Sequence, residues 1–227
     1  MDLIGIPAPL LEVLKQLLRR ALLLAAAALI PGCAEDDDIP DSTVLFFDGF
    51  DRGDVGADWD VSTGTGTVAV DPSEGAPPPS LAIGLGPGGT FAMAQTRTVF
   101  STVFLRVSVD VKDATAAQGI GGLAIVDRSG QVLASAELSL SPPSQVVFSA
   151  GGSTQAALLP IDVDFRTLTF QVDGAGTASW SIAGQIVMTA EGLPAAMVFV
   201  RVYERADASA GRSLGTFFFD NVLVTTP

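Results

Sequence analysis

Histidine is absent from all 227 residues, and whole classes of chemistry go with it. No Ser-His-Asp triad, Cys-His pair or histidine-ligated zinc site can be built. Cysteine occurs once, as Cys33, so no disulfide can close within the chain and stability must come from packing or from bound metal. Positive charge is scarce as well. Twelve Lys and Arg stand against 25 Asp and Glu, a net charge of −13. Such a surface repels phosphate backbones, which argues against nucleic acid as a partner, and it gives no electrostatic grip on anionic lipid. Beyond residue 33, Lys112 is the only lysine and Tyr203 the only tyrosine. Carboxylates are then nearly all that is left for acid–base chemistry, and catalysis narrows to a carboxylate pair of the glycosidase type.

What is present starts with the N-terminal forty residues. Lys15, Arg19 and Arg20 precede an apolar run, Ala21 to Ile30, which leads through Pro31 and Gly32 to Cys33 and the acidic Glu35-Asp36-Asp37-Asp38. This is the charged, apolar, then small-residue layout of a secretory signal. The run is about half the ~20 residues needed to cross a bilayer. Glu12, Lys15, Arg19 and Arg20 interrupt its extension toward Leu10. Ile30-Pro31-Gly32-Cys33 resembles the lipobox of bacterial lipoproteins, with Pro31 standing where Ala or Ser is commoner. An ordinary cleaved signal and an uncleaved anchor are the alternatives.

The lipobox resemblance implies that residues 1–32, a signal helix, are removed and that Cys33 is acylated. One chain anchors marginally and several anchor firmly. Ala34 replaces the Asp that commonly retains such lipoproteins at the inner membrane, which implies the outer membrane, with the domain on either side of it. Loss of the leader leaves 195 residues with a net charge of −14, enough for one domain with a sizeable core. Residues 33–42, acidic and carrying Pro40, read as a solvated tether. One domain then covers 43–227.

Within that domain the period is two. Val103, Leu105, Val107, Val109 and Val111 alternate with Phe104, Arg106, Ser108 and Asp110; Leu168, Phe170 and Val172 do so with Thr169, Gln171 and Asp173. Val198, Val200 and Val202 alternate with Phe199, Arg201 and Tyr203. Val126–Val132 and Ile182–Ile186 read as tight hairpins around Gly130 and Gly184. Gly and Pro clusters punctuate the rest, and no mature segment sustains a 3.6 period. The expectation is an all-β, two-sheet antiparallel jelly-roll sandwich of roughly a dozen short strands.

Three phrases carry a resemblance. Leu45-Phe46-Phe47-Asp48-Gly49-Phe50-Asp51, followed by Trp59-Asp60-Val61-Ser62-Thr63-Gly64, resembles the opening of bacterial concanavalin A-like, laminin-G-like jelly rolls. Ser80-Leu81-Ala82-Ile83 resembles their "S-L-x-I" strand, and Phe217-Phe218-Phe219-Asp220-Asn221-Val222-Leu223-Val224 their last strand. Galactose-binding-like modules share a similar final strand and are the alternative.

That resemblance frames the candidate sites. It implies paired terminal strands and a structural calcium near them, with Asp48, Asp51 and Asp220 as oxygen ligands and Asp54 close by. The competing reading is that these aspartates accept turn amides. Sugar recognition calls for an exposed aromatic ring with polar groups beside it. Tyr203, Arg201 and Asp110 fall on outward phases and are the candidate ligand-binding residues, whereas Trp59 and Trp180 share phase with apolar neighbours and read as core. For catalysis, Glu74, Glu137, Glu191 and Glu204 form no "E-x-D-x-x-E" array, and Asp162-Val163-Asp164 reads as the approach to a strand.

The functional expectation is a lipid-anchored cell-envelope protein with a non-catalytic glycan-binding or adhesion domain, its partners a membrane and a polysaccharide or envelope protein. A scaffolding lipoprotein that binds a protein partner and a glycoside hydrolase are the alternatives.

Overall fold

The computed structural model describes residues 42–113, 119–139, 144–158, 164–207 and 215–226. The signal segment, Cys33, the tether and Asp162 lie outside the described residues. A strand whose every second side chain is apolar must turn that face onto another element. Sixteen strands form among the described residues, which include no helix. That is more strands than the dozen or so expected.

The first sheet, sheet A, runs β14 (Gln185–Ala190), β13 (Ala178–Ile182), β12 (Arg166–Val172), β7 (Leu105–Asp113), β16 (Gly215–Thr225), β4 (Ser80–Leu85) and β3 (Gly66–Asp71). β1 (Val44–Asp48) joins it beside the second half of β16, where Val44 faces Thr225 and Asp48 faces Val222. Sheet B runs β11 (Ser153–Leu158), β10 (Gln145–Ala150), β9 (Val132–Ser139), β8 (Gly119–Asp127), β15 (Met197–Ala206), β5 (Phe91–Thr96) and β2 (Trp59–Ser62), with β6 (Phe100–Ser101) against the start of β15. Neighbouring strands are antiparallel in both sheets.

The alternating positions form the core between the sheets. Val107, Val109, Leu168 and Phe170 from sheet A face Leu123, Ile125, Val146, Phe148, Val200 and Val202 from sheet B. Both tryptophans lie inside, as their phase requires, and each sends its indole N–H to a group on the opposite sheet. Trp180 of β13 packs at a tilt against Phe170 at 4.8 Å and Phe148 at 5.8 Å and donates to the Ser149 carbonyl of β10 at 3.1 Å. Trp59 of β2 donates to Asp48 Oδ2 of β1 at 2.7 Å. Burying each ring contributes roughly 1.5–3 kcal/mol or more, and a partnered N–H avoids the penalty of a buried orphan donor.

Local signals explain the connections. The β8–β9 turn is held by Asp127, whose Oδ1 accepts the amides of Ser129 and Gln131. The β13–β14 hairpin turns on Ala183 (φ 48°) and Gly184 (φ 79°), both in the left-handed region that a two-residue hairpin requires. One alternation fails at its start. Phe104 adopts φ 56° and is exposed, so β7 begins at Leu105 and leaves Val103 exposed in the preceding turn.

Candidate functional site

The outer face of sheet B is built on β15. With Val198, Val200 and Val202 turned into the core, Phe199, Arg201, Tyr203 and Arg205 point the other way. Register then places each beside defined partners. Arg201 lies in a cross-strand row with Gln95 on one side and Ala124 and Ser135 on the other, and Ser149 stands beyond Ser135. Tyr203 lies in the next row, between Met93 on one side and Gly122 and then Glu137 on the other.

Gly122 is the reason that second row works. A Cβ there would come within 2.6 Å of the Tyr203 ring, so only glycine lets the ring lie across β8. The phenol thereby reaches Glu137 on β9 and donates to its Oε1 at 2.7 Å. Arg205 grips the same carboxylate with two bonds, Nε to Oε1 at 2.9 Å and Nη2 to Oε2 at 2.6 Å. Phe91, tilted 32° at 5.8 Å, and Met93 pack against the ring. Ser135 and Ser149 share a hydroxyl hydrogen bond of 2.8 Å.

These contacts set the protonation states. Burial alone would raise the Glu137 carboxyl, but hydrogen bonds from Arg205 and Tyr203 and the Arg205 charge outweigh it and hold the group below its usual range. Burial pushes the Tyr203 phenol well above its ordinary value, and the Glu137 charge adds to that shift. Tyr203 is therefore a neutral donor at any physiological pH. Arg201 is half-buried and donates from Nε and Nη2 to Gln95 Oε1 at 3.0 and 2.7 Å.

The expected ligand-binding residues are placed as follows. Arg201 and Tyr203 share this face. Tyr203 does turn outward, but it is only 6% exposed, so its ring is not the open stacking platform the phase of β15 led us to expect. Asp110 belongs to a different surface altogether. It lies on β7 in sheet A, where Oδ1 accepts from the Thr167 hydroxyl and Oδ2 from Asn221 Nδ2 at 3.0 Å. Nearby on that outer face is a shallow polar groove of about 390 Å³ lined by Arg106, Thr167, Thr169, Gln171, Ser179 and Ser181. Glu137, Arg205, Gln95 and Gly122 were not anticipated. The alternation Ser135, Glu137, Ser139 against Ala134, Ala136, Leu138 is the signal in the sequence that marks Glu137 as outward.

The terminal strands pair as expected, yet they do not assemble the expected metal ligands. Asp48 is buried with both oxygens occupied: Oδ1 accepts the Phe50 amide, and Oδ2 accepts Trp59 Nε1 and the Arg52 guanidinium. Arg52 also stands 3.7 Å from Asp54 and 3.8 Å from Asp58, so an arginine supplies the cation of this acidic turn. Asp220, 1% exposed, accepts the amides of Ala76 and Asn221. Burial raises its pKa, the two backbone amides oppose that, and the charges of Asp110 and Asp51 add to it. Among the described residues no three acidic, Cys or His groups gather to hold a metal ion. The turn-amide reading of Asp48 and Asp220 is the one the contacts support.

No family model matches the chain, and no curated protein matches it. Solved structures do resemble it in fold. A β-1,3-glucanase from Mycobacterium marinum is 16% identical, with a TM-score of 0.58 over 81% of this chain and 99% of that one. A Bacillus licheniformis β-glucanase is 11% identical, with a TM-score of 0.58 over 80% of this chain and 97% of that one. The apo Crh5 transglycosylase is 19% identical, with a TM-score of 0.60 over 79% and 82%. A sialidase is matched over 74% of this chain but only 17% of its own length. The chain thus has the two-sheet jelly-roll sandwich seen in glucanases.

Proposed function

We propose that this chain is an exported, lipid-anchored, non-catalytic glycan-binding protein of the cell envelope, with its ligand on the outer face of sheet B. The observation that carries this reading is the row of pre-positioned polar groups running from Gln95 and Arg201 to Ser135 and Ser149, flanked by Tyr203, Glu137 and Arg205. Hydrogen-bonding side chains locked by their neighbours on rigid strands suit the hydroxyls of a saccharide and cost little ordering on binding. Similarity in fold to jelly-roll proteins named for glycan chemistry is consistent with it, as analogy.

Binding without cleavage is supported by the carboxylates. Two-carboxylate hydrolysis needs a pair about 5–9.5 Å apart, one of them kept protonated. Glu137 is instead held ionised by Arg205 and Tyr203. Another carboxylate on the outward phase, Asp60 of β2, pairs with Arg97 at 2.7 Å. Four strand spacings separate β2 from β9, a backbone distance of roughly 19 Å at about 4.8 Å per spacing.

Affinity electrophoresis of the detergent-extracted full chain through a panel of polysaccharides tests the reading. Retardation by at least one polymer, with no release of new reducing ends, is the expected result. Free migration through every gel, or release of reducing ends, would overturn it. For the anchor, Cys33→Ala is expected to move the protein from the membrane to the soluble fraction, and unchanged partition would count against acylation at Cys33.

A further inference from the structure

Ion pairing among the strand residues on the outer face of sheet B leaves one arginine over. Two carboxylates on its strands each have a guanidinium, Glu137 with Arg205 and Asp60 with Arg97, and the charge of Asp207, just beyond β15, also acts on Arg205. Among the described strand residues of this face, that leaves Arg201. Its partner is the neutral amide oxygen of Gln95, and none of the ion pairs among the described residues includes it.

A half-buried guanidinium without a counter-ion has given up hydration and received only one neutral acceptor in return. Burial accordingly pulls its pKa down. On a chain of net charge −13 this is an unusual place to leave a cation uncompensated. Its orientation is also defined. Gln95 Oε1 takes the Nε hydrogen and one Nη2 hydrogen. Of the five donors of an arginine, three remain, two on Nη1 and one on Nη2, and the Nη1–Nη2 edge is a fork that matches the two oxygens of a carboxylate. Beyond Arg201 the floor is made of small groups, Ala124, then Ser135, then Ser149, over three strand spacings or roughly 14 Å. That leaves room for a chain lying across the strands, with hydroxyls beneath it.

From this we infer that the glycan of the outer face is an acidic, uronate-containing polysaccharide, and that Arg201 is the residue that reads its carboxylate. The inference rests on the reading of this face as a glycan site and adds the class of ligand. A single uncompensated cation favours a polymer with isolated carboxylates over one of dense charge, which the −13 chain would repel.

The test uses the detergent-extracted full chain with glucuronoxylan and deacylated gellan, in which neutral sugars separate the glucuronates, each beside its carboxyl-reduced form, and with neutral laminarin. Retardation by at least one uronate polymer, abolished by carboxyl reduction, is expected. Arg201→Gln should weaken that binding about tenfold or more, the loss of one charge-assisted pair, and Arg201→Lys should lose less, because charge survives without the fork. Both variants should melt within about 2 °C of the parent, as expected for an exposed-face change. Equal binding to reduced or neutral polymers would overturn the inference while leaving glycan binding intact. Uronate selectivity that persists undiminished in Arg201→Gln would overturn the role of Arg201. Binding to none of the polymers, combined with free migration through the wider panel, would remove the glycan reading and this inference together.

Discussion

Asp220 and Ala76, 144 residues apart in sequence, are joined by a 2.6 Å hydrogen bond from the Ala76 amide to Asp220 Oδ2. The next residue completes the clamp, since Asn221 Nδ2 donates to the Ala76 carbonyl at 2.8 Å. Asn221 can do this because β16 bulges there, with Asn221 at φ 48°. Asp220→Ala would orphan the Ala76 and Asn221 amides and is expected to cost about 1–3 kcal/mol in chemical denaturation. Retention of full stability would mean that the loop before β4 is held by other contacts.

Two carboxylates should give opposite pH signatures. Asp220 has a raised pKa, so its protonated form is favoured on folding. The stability it contributes is present below the unfolded-state value near 3.9 and lost as pH rises through the folded value. Against Asp220→Asn, the wild type should lose relative stability as pH is raised out of the acid range.

Glu137 has a lowered pKa, so its contribution is present above the unfolded-state value near 4.3 and lost as pH falls through the folded value. Glu137→Gln should be less stable than wild type by about 1 kcal/mol at pH 7, a modest figure because Arg205 is partly exposed and water screens the pair. The difference should close on acidification. A constant gap across pH would show that the carboxylate's charge contributes nothing.

Gly122→Ala places a methyl group against the Tyr203 ring and should displace it, breaking the bond to Glu137. A loss of about 1–3 kcal/mol is expected, together with a change in tyrosine fluorescence or near-ultraviolet dichroism. An unaltered Tyr203 signal would contradict the close approach.

Much of this was legible beforehand, for reasons that can be named. Alternation alone marked the inward faces of β7, β12, β13 and β15 and put both tryptophans in the core, because period two is a local property of a strand. Exposure of Tyr203 was not legible. Its direction follows from phase, but its cover comes from Met93 and Phe91, and register between strands distant in sequence decides that. The same holds for Asp110 and Arg201. Both sit on outward phases, yet one belongs to sheet A and the other to sheet B, and strand order across the sandwich is non-local. At the acidic N-terminal turn the resemblance drew attention to Asp48, Asp51 and Asp54 as metal ligands, while Arg52 among them supplies the opposite charge.

That turn gives a further expectation. With Arg52 bridging Asp48, Asp54 and Asp58, a chelator should leave the melting midpoint unchanged. A drop on adding EDTA, restored by calcium, would show that a metal contributes after all.

At the β13–β14 hairpin, Ala183 occupies a left-handed backbone position that costs alanine energy. Ala183→Asn should raise stability by roughly 0.5–1 kcal/mol in thermal or denaturant melts, since Asn-Gly is the favoured pair for such a turn. Destabilisation would mean that the alanine methyl group makes packing contacts worth more than the turn.

The pairing of β1 with β16 has a mechanical consequence. Thr226 donates its amide to the Thr43 carbonyl, so the polypeptide enters and leaves the sandwich side by side. A pull transmitted through the residues ahead of Thr43 arrives on a five-residue strand that, among the described residues, is paired on one flank only. Asp48, bolted to Trp59 on the opposite sheet, is where such a pull would be arrested, and peeling that stops there would leave the arginine-lined face of sheet B undisturbed.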